Sequence, residues 1–128
     1  MEIRPYGTAD ASLLFDLLVD EGDAWSDYHA VANRDKFMKA LASSITYLAC
    51  DDALACGYVR CREDGGYGVY VHDLLVRKSY RGGQIGKRLM DRVRQDYPDQ
   101  TVYVMSDVDP YYEKLGYDRA GSIFVVKA

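Results

Sequence analysis

Apolar residues recur at helical spacing in three parts of the chain. Within each part single residues or adjacent pairs recur after three or four positions, so they share one face of a helix. Residues 8–10 offer a cap for the first part, and Pro98 follows the third, where a helix must end. We therefore predict three main helices. Their apolar positions are Leu13, Leu14, Leu17 and Leu18 in the first, Phe37, Met38 and Leu41 in the second, and Ile85, Leu89, Met90 and Val93 in the third.

Short apolar runs between these segments predict strands at 2–5, 45–50, 54–61, 67–76, 101–105 and 123–126. Turn residues at 51–53 and 64–66 join three runs in succession, which indicates antiparallel pairing. The run at 101–105 is apolar throughout, as expected of a buried strand reached by a right-handed crossover. A short helix should follow, capped by Asp109 and ended by Gly116. This order predicts an α/β (α+β) fold: a mixed, mostly antiparallel twisted sheet flanked by about four helices.

The length and composition are those of a single globular domain over residues 1–128. No apolar run approaches the ~20 residues of a membrane span, and residues 1–6 lack the features of a signal peptide. The cysteines, Cys50, Cys56 and Cys61, lie in apolar strand-like runs without metal-ligand spacing. We therefore expect buried thiols, no metal, no membrane contact and a reducing cytoplasmic location.

Charge is unevenly distributed along the chain. Residues 77–94 contain seven basic side chains and one acid, whereas residues 1–54 contain four basic and ten acidic ones. The overall charge of −4 disfavours nucleic-acid binding. A local anion site in the basic part and a separate site for a cationic partner fit this distribution better, although part of the charge can also belong to solvated helix faces.

A glycine-rich turn lies between the strand that ends at Val76 and the helix that carries Leu89. It contains Arg81, Gly82, Gly83 and Gly86. A strand, a turn of this kind and a helix present free backbone N–H groups to a phosphate. The turn lacks the Ser or Thr of a Walker A loop and the G-x-G-x-x-G pattern of a dinucleotide site. It therefore predicts a phosphorylated ligand of another kind, the alternative being a plain strand-to-helix turn.

Two motifs in this chain resemble those of the GNAT superfamily of acyl-CoA-dependent N-acetyltransferases. The first, Arg/Gln-x-x-Gly-x-Gly/Ala, reads here Arg81-Gly82-Gly83-Gln84-Ile85-Gly86, and the second reads Tyr111-Tyr112-Glu113-Lys114-Leu115-Gly116-Tyr117. The first motif departs from the family pattern, because Gln84 stands where the family has glycine. We expect Gln84 to be already helical, so that its N–H can still donate without a positive φ. The order of elements also matches, so the resemblance covers essentially the whole chain.

The resemblance implies a V-shaped cofactor cleft for acetyl-CoA. The backbone amides of residues 82–87 would hold the pyrophosphate, together with Arg81. The strand end at Leu74, Leu75 and Val76 would pair with the pantetheine arm, and an N–H near Leu75 would polarise the thioester carbonyl. Tyr111 would contact the cofactor or pack. The residues so implied for the cofactor are Leu74, Leu75, Val76, Arg81, Gly82, Gly83, Gln84, Ile85, Gly86, Lys87 and Tyr111.

The resemblance also implies two catalytic residues, Tyr112 and His72. Tyr112 is the motif tyrosine that protonates the leaving thiolate in many relatives, and a neutral phenol can donate to sulfur. His72 would remove a proton from the amine, since imidazole titrates near neutral pH; a water path is the alternative. In a regular strand His72 and Asp73 point to opposite faces, unless a bulge exchanges them.

Residues 21–29 are acidic and aromatic, and the family places the wall of the acceptor site there. Trp25, Asp27 and Tyr28 could attract a cation through charge and cation–π contact; a solvated acidic loop is the other interpretation. The implied function is transfer of acetyl from acetyl-CoA to a primary amine of a small molecule or peptide, directly in a ternary complex. The alternative is a silent acyl-CoA-binding sensor or interaction module. Relatives are often dimers, so a homodimer is compatible with the resemblance.

Overall fold

The computed structural model describes all residues, 1–128, and contains one five-stranded sheet. The strands are β1 (Glu2–Pro5), β2 (Ile45–Asp51), β3 (Leu54–Glu63), β4 (Val69–Val76) and β5 (Val102–Val104), in that spatial order. The first four pair antiparallel, and β5 is parallel to β4. The predicted mixed, mostly antiparallel sheet is therefore confirmed.

Five α-helices flank the sheet. They are α1 (Ala11–Glu21), α2 (Ser26–His29), α3 (Arg34–Ala42), α4 (Ile85–Asp96) and α5 (Asp109–Lys114). The three helices predicted from apolar periodicity correspond to α1, α3 and α4. None of the helices combines the length and the hydrophobicity that are needed to cross a membrane.

The sheet separates two apolar cores of equal size. One packs α1 and α3 against residues such as Leu48, Tyr58 and Leu75, and the other packs α4 against Val59 and Val71. All three cysteines are buried and free, as expected from their apolar surroundings. Gly57 lets α4 approach β3 closely, because a Cβ there would lie 2.8 Å from the Leu75 carbonyl oxygen and 3.3 Å from the Leu89 side chain.

The strand β4 extends beyond the end of β5. Only residues 69–71 of β4 pair with β5, and the chain after Val104 turns away into the loop that precedes α5. Residues 72–76 therefore have β3 on one side and an open gap on the other. This separation corresponds to the predicted V-shaped cleft.

Three predictions about the second half of the chain are wrong in detail. The strand expected at 123–126 does not form, and its apolar side chains are exposed. As a result the run at 101–105 is an edge strand and is only half-buried, because nothing covers its outer side. Asp109 is the first residue of α5 rather than its cap, which is Val108; the Ser106 hydroxyl accepts a hydrogen bond from the Val108 N–H.

Candidate active site

Six consecutive backbone N–H groups, from Gly82 to Lys87, have no hydrogen-bond acceptor within the protein. The first intrahelical bond of α4 is made by the Arg88 N–H, which donates to the Gln84 carbonyl at 3.0 Å. Unpaired amides at the start of a 12-residue helix form a concentration of partial positive charge. The arrangement is suited to an anion such as a phosphate.

The turn that presents these amides contains two residues with left-handed backbone. Gly82 has φ +88° and Gln84 has φ +68°. The expectation that Gln84 would be helical is therefore wrong: it is the N-cap of α4, and its side chain makes no capping hydrogen bond. A left-handed residue in a turn directs the successive backbone N–H groups of that turn toward a common concavity. Glycine is suited to this position because it adopts left-handed backbone without steric cost.

Arg81 is held by protein groups on both sides. Its guanidinium donates to the Val76 carbonyl at 3.1 Å and to the Glu21 carboxylate at 2.6 Å. Glu21 is the last residue of α1, and its side chain is mostly buried. In this arrangement Arg81 fixes the glycine turn against α1 and β4, while half of its side chain stays exposed on the surface.

The two sequence motifs meet at Gly86. A Cβ at this position would collide with the Tyr111 hydroxyl and would lie 3.6 Å from the Val76 side chain. Gly86 therefore leaves room for the Tyr111 ring to pack against the start of α4, and a larger residue would displace that ring. This contact brings the second motif beside the amides of the first.

Tyr112 is half-buried between two other tyrosines. Its ring centroid lies 5.0 Å from that of Tyr111, edge to face, and 6.1 Å from that of Tyr117, stacked. Burial, followed by the nearby Tyr111, Asp107 and Tyr117, raises the pKa of the Tyr112 phenol to about 12. The group therefore stays protonated over the neutral range and is able to donate a hydrogen bond.

The backbone of β4 offers hydrogen-bonding groups to the gap at Leu74 and Val76. The Arg77 N–H donates to the Cys56 carbonyl at 2.7 Å, so the alternate residues Leu75 and Asp73 also direct their backbone groups to β3. The Leu75 carbonyl indeed lies against Gly57, and its side chain is buried. The geometry therefore assigns the free N–H groups to Leu74 and Val76, the two neighbours of Leu75, near which the resemblance implies an N–H for the thioester carbonyl.

A bulge in β4 leaves His72 without a partner in β3. Asp73 pairs with Arg60 and Val71 pairs with Cys61, so His72 is the extra residue. The bulge reverses the alternation of side chains: Val71 and Leu74 both belong to the core under α4. Half-burial, followed by the positive charge of Arg60, lowers the pKa of His72 below its usual value, so the imidazole is neutral at pH 7.

Asp73, next to His72, is the centre of a buried polar cluster. Its carboxylate accepts hydrogen bonds from the Tyr28 hydroxyl at 2.7 Å, the Tyr58 hydroxyl at 3.1 Å and Arg60 Nε at 2.5 Å. Another N–H of the Arg60 guanidinium donates to the Ser44 hydroxyl at 3.2 Å. Because the charges are mutually compensated and hydrogen-bonded, this cluster is stable inside the sheet.

The predicted acceptor residues lie on or beside α2 but differ in their surroundings. Trp25 and Tyr28 are in contact, with centroids 5.8 Å apart, and Tyr28 also stacks on Phe37 at 4.4 Å. Tyr28 is thus joined to the core as well as to Asp73. Asp27 is exposed and forms no ion pair.

The sequence analysis did not predict that Glu21 binds Arg81 or that Arg60 and Asp73 pair beside His72. Glu21 had been grouped with the acidic loop, whereas it fixes Arg81. Asp73 and Arg60 each interrupt an apolar strand-like run, and a charged residue in such a run needs a partner of opposite charge. That signal could have identified the pair.

Comparison with known proteins identifies the family. The model of the acetyltransferase (GNAT) domain matches residues 42–119, which is more than half of the chain. The protein therefore belongs to the GNAT acetyltransferases and is an acyltransferase. A comparison with curated proteins gives no match.

Solved structures share the fold over nearly the whole chain. A GNAT-family acetyltransferase from Streptococcus pneumoniae is 22% identical, with a TM-score of 0.72, over 99% of this chain and 98% of that one. An aminoglycoside 6'-acetyltransferase type Ii is 24% identical, with a TM-score of 0.76, over 94% and 85%. An aminoglycoside 6'-N-acetyltransferase complexed with coenzyme A is 20% identical, with a TM-score of 0.66, over 91% and 73%.

Proposed function

We propose that the protein transfers the acetyl group of acetyl-CoA to a primary amine of a small molecule or peptide, directly within a ternary complex. The observation that carries this proposal is the row of six unpartnered N–H groups at the start of α4. It fits the pyrophosphate of coenzyme A, and a solved structure of the same fold is complexed with that molecule. The three buried free thiols support a cytoplasmic location.

The gap beside β4 fits the rest of the donor. Leu74 directs its backbone N–H and C=O into it and Val76 its N–H, while the Val76 carbonyl already accepts from Arg81. A pantetheine arm carries amides that can pair with these free groups as an added strand would. At the other end of the gap, residues 82–87 would bind the pyrophosphate. Residues 77–81 separate the two sets along the chain, and Arg81 bonds to the Val76 carbonyl, which holds the turn against the end of β4. One extended ligand would therefore contact both sets.

Tyr112 would act on the leaving group. As the carbon–sulfur bond breaks, negative charge develops on sulfur, and a phenol with a pKa of about 12 stays protonated and donates a hydrogen bond to it. No cysteine is exposed, since all three are buried, which supports direct transfer over an acyl-enzyme.

His72 would act on the acceptor. An alkylamine with a pKa near ~10 enters mostly protonated and must lose a proton before it can attack. Because the pKa of His72 is lowered by burial and by Arg60, its imidazole is able to accept that proton at neutral pH. The bulge places His72 at the point where β4 leaves β5.

For the acceptor, we propose that Trp25, Tyr28 and Asp27 form one wall. Trp25 is half-buried and offers an indole edge or face, and Tyr28 supports it from behind while stacking on Phe37. Asp27 offers an exposed carboxylate without an ion pair. These groups favour a cation. Two aminoglycoside acetyltransferases have similar folds, which supports a small-molecule amine.

The test is release of free thiol from acetyl-CoA in the presence of a panel of amines, including polyamines, aminoglycosides and lysine peptides. We expect turnover with at least one class, and loss of most of it in Tyr112→Phe. Binding of acetyl-CoA without turnover on any amine would favour the sensor module, and no binding would reject both functions.

A further inference from the structure

One row of side chains on the sheet is left uncovered by the helices. It consists of Arg62 on β3, Tyr70 on β4 and Tyr103 on β5, which are cross-strand partners in succession. Their strand neighbours Cys61 and Val71 belong to the core under α4, so the row points to the opposite face, on which α1 and α3 pack. All three residues are exposed. We call Arg62, Tyr70 and Tyr103 the open row.

The open row lies beside His72. Because Val71 and Leu74 both belong to the core under α4, the bulge turns His72 to the other face, which is the face of the open row. Diagonal cross-strand neighbours have Cα atoms about 7–8 Å apart, so the long side chain of Arg62 is within reach of the space above His72. The charge of Arg62 is accordingly among the causes, after burial and Arg60, that lower the pKa of His72.

Arg62 carries a positive charge that no acidic side chain compensates. One N–H of its guanidinium donates to the Ser43 hydroxyl at 3.2 Å, and it takes part in no ion pair. Arg60, on the same face, is by contrast paired with Asp73 and lies 5.6 Å from the centre of the Phe37 ring. An exposed guanidinium with free N–H groups is suited to a carboxylate, which it binds through two parallel hydrogen bonds.

Tyr70 and Tyr103 form a flat aromatic surface beside Arg62. Their ring centroids are 5.2 Å apart and their planes differ by 16°. Both rings also rest against Gly68, where an added Cβ would lie 3.3 Å from the Tyr103 ring and 3.4 Å from the Tyr70 ring. The pair is thus held in place, although 39% of Tyr70 and 37% of Tyr103 are exposed. An ordered aromatic surface of this kind packs well against another ring or an apolar chain.

Building on the acetyl transfer proposed above, we propose that the acceptor is an α-amino acid with an aromatic or large apolar side chain. Its amine would lie at His72, its carboxylate at Arg62 and its side chain on Tyr70 and Tyr103. These three sets of groups surround one open space on the sheet, as three substituents surround the α-carbon of an amino acid. Polyamines and aminoglycosides fit less well, because the uncompensated charge of Arg62 repels a second ammonium group.

Transfer to this acceptor balances without a further reactant. The neutral α-amine forms a bond to the acetyl carbon as the carbon–sulfur bond of acetyl-CoA breaks, which gives an N-acetyl amino acid and free coenzyme A. The proton lost by nitrogen passes to His72, and the departing sulfur receives one from Tyr112. The carboxylate at Arg62 is unchanged, so Arg62 holds the acceptor without taking part in the chemistry.

The first test compares phenylalanine with phenylalaninamide, which keeps the amine and the ring but lacks the carboxylate. Release of thiol from acetyl-CoA gives kcat/KM for each. We expect the ratio of phenylalanine to phenylalaninamide to fall about tenfold in Arg62→Gln and less in Arg62→Lys, because lysine keeps the charge but loses the paired hydrogen bonds. Arg94→Gln, the same change at an exposed position of α4, should leave the ratio unaltered. An unaltered ratio in Arg62→Gln would overturn the proposal.

The second test compares phenylalanine with alanine, which lacks the ring. Tyr103→Ala should lower the ratio of their kcat/KM values about fivefold, because the acceptor ring loses its packing surface. Tyr67→Ala removes an exposed tyrosine outside the stacked pair and should leave the ratio unaltered. Each result is a ratio of two substrates on one protein, so a partial loss of folded enzyme does not change it. Equal ratios in Tyr103→Ala and the wild type would contradict the proposed acceptor.

The wider panel of amines separates this inference from the proposed function. Turnover of polyamines or aminoglycosides, without turnover of any aromatic or apolar amino acid, would overturn the inference and leave acetyl transfer standing. Binding of acetyl-CoA without turnover on any amine would overturn both.

Discussion

Replacing Gln84 by glycine should stabilise the protein, because Gln84 adopts left-handed backbone with φ 68° and ψ 16°. For a residue with a Cβ this conformation costs about 1–2 kcal/mol. Glycine avoids that cost but loses about 0.5–1 kcal/mol through the greater freedom of its unfolded chain. The Gln84 side chain makes no capping bond, and the carbonyl that accepts from Arg88 is retained. The two ranges leave a net gain of about 0–1.5 kcal/mol, with a midpoint of about 0.75 kcal/mol.

For a chain of this size, a gain of that magnitude raises the melting temperature by about 2–4 °C. Differential scanning calorimetry of the ligand-free protein measures it. Gln84→Ala is the matched control, since it removes the same side chain but keeps the Cβ, and its melting temperature should stay near that of the wild type. Gly82→Ala, at φ +88°, should lower the melting temperature.

If Gln84→Gly melts at or below the temperature of Gln84→Ala, the backbone at this position is not left-handed. The amides of the turn would then not converge as described. Acetyl-CoA affinity should be retained in Gln84→Gly, because the N–H group is unchanged. A loss of binding would show that the glutamine side chain itself contacts the ligand.

Three other variants test separate parts of the site. Tyr112→Phe should lower kcat about 10–100-fold with little change in acetyl-CoA affinity, measured by calorimetry; an unchanged kcat would refute its role as a donor. Asp73→Ala should destabilise the fold by about 3–5 kcal/mol in urea unfolding, because Arg60 is left buried and unpaired; a loss below about 1 kcal/mol would contradict the cluster. His72→Gln should abolish an acid limb of the kcat/KM profile that lies below pH 6.5, since the pKa of His72 is lowered; persistence of that limb would assign it to another group.

His72 also affects stability in a defined direction. Its folded pKa is lower than its unfolded pKa, so folding disfavours the charged form. The stability is fully present above pH 6.5 and is lost as the pH falls from there through the folded pKa. The His72→Gln variant should show a smaller loss over the same interval.

The sequence predicted the elements whose own patterns are strong. The helix with Leu89 and Val93 on one face has an apolar side, which predicts that it packs against the core. The turn residues after Cys50 separate two strand-like runs by a short loop, which predicts a hairpin. The glycine turn was predicted as an anion site for a similar reason, since its chemistry lies in the backbone and depends little on distant residues.

The features that were missed depend on contacts between distant parts of the chain. The β-branched composition of residues 123–126 is typical of a strand, but a strand also needs a paired neighbour, and these residues pair with none although the edge of β5 is free. Likewise, Glu21 and Arg81 are 60 residues apart, and only the folded chain brings them together. The left-handed backbone of Gln84 was missed because its residue type gives no sign of a positive φ.

The most direct test of the central claim is an NMR titration of the ¹⁵N-labelled protein with coenzyme A. The backbone amides of residues 82–87 donate to nothing within the protein, so bonding to a pyrophosphate should shift them more than any other contiguous set. The matched titration with pantetheine, which lacks the pyrophosphate, should leave them nearly unchanged while shifting Leu74 and Val76. Binding of coenzyme A that moves other amides and leaves residues 82–87 in place would contradict the account.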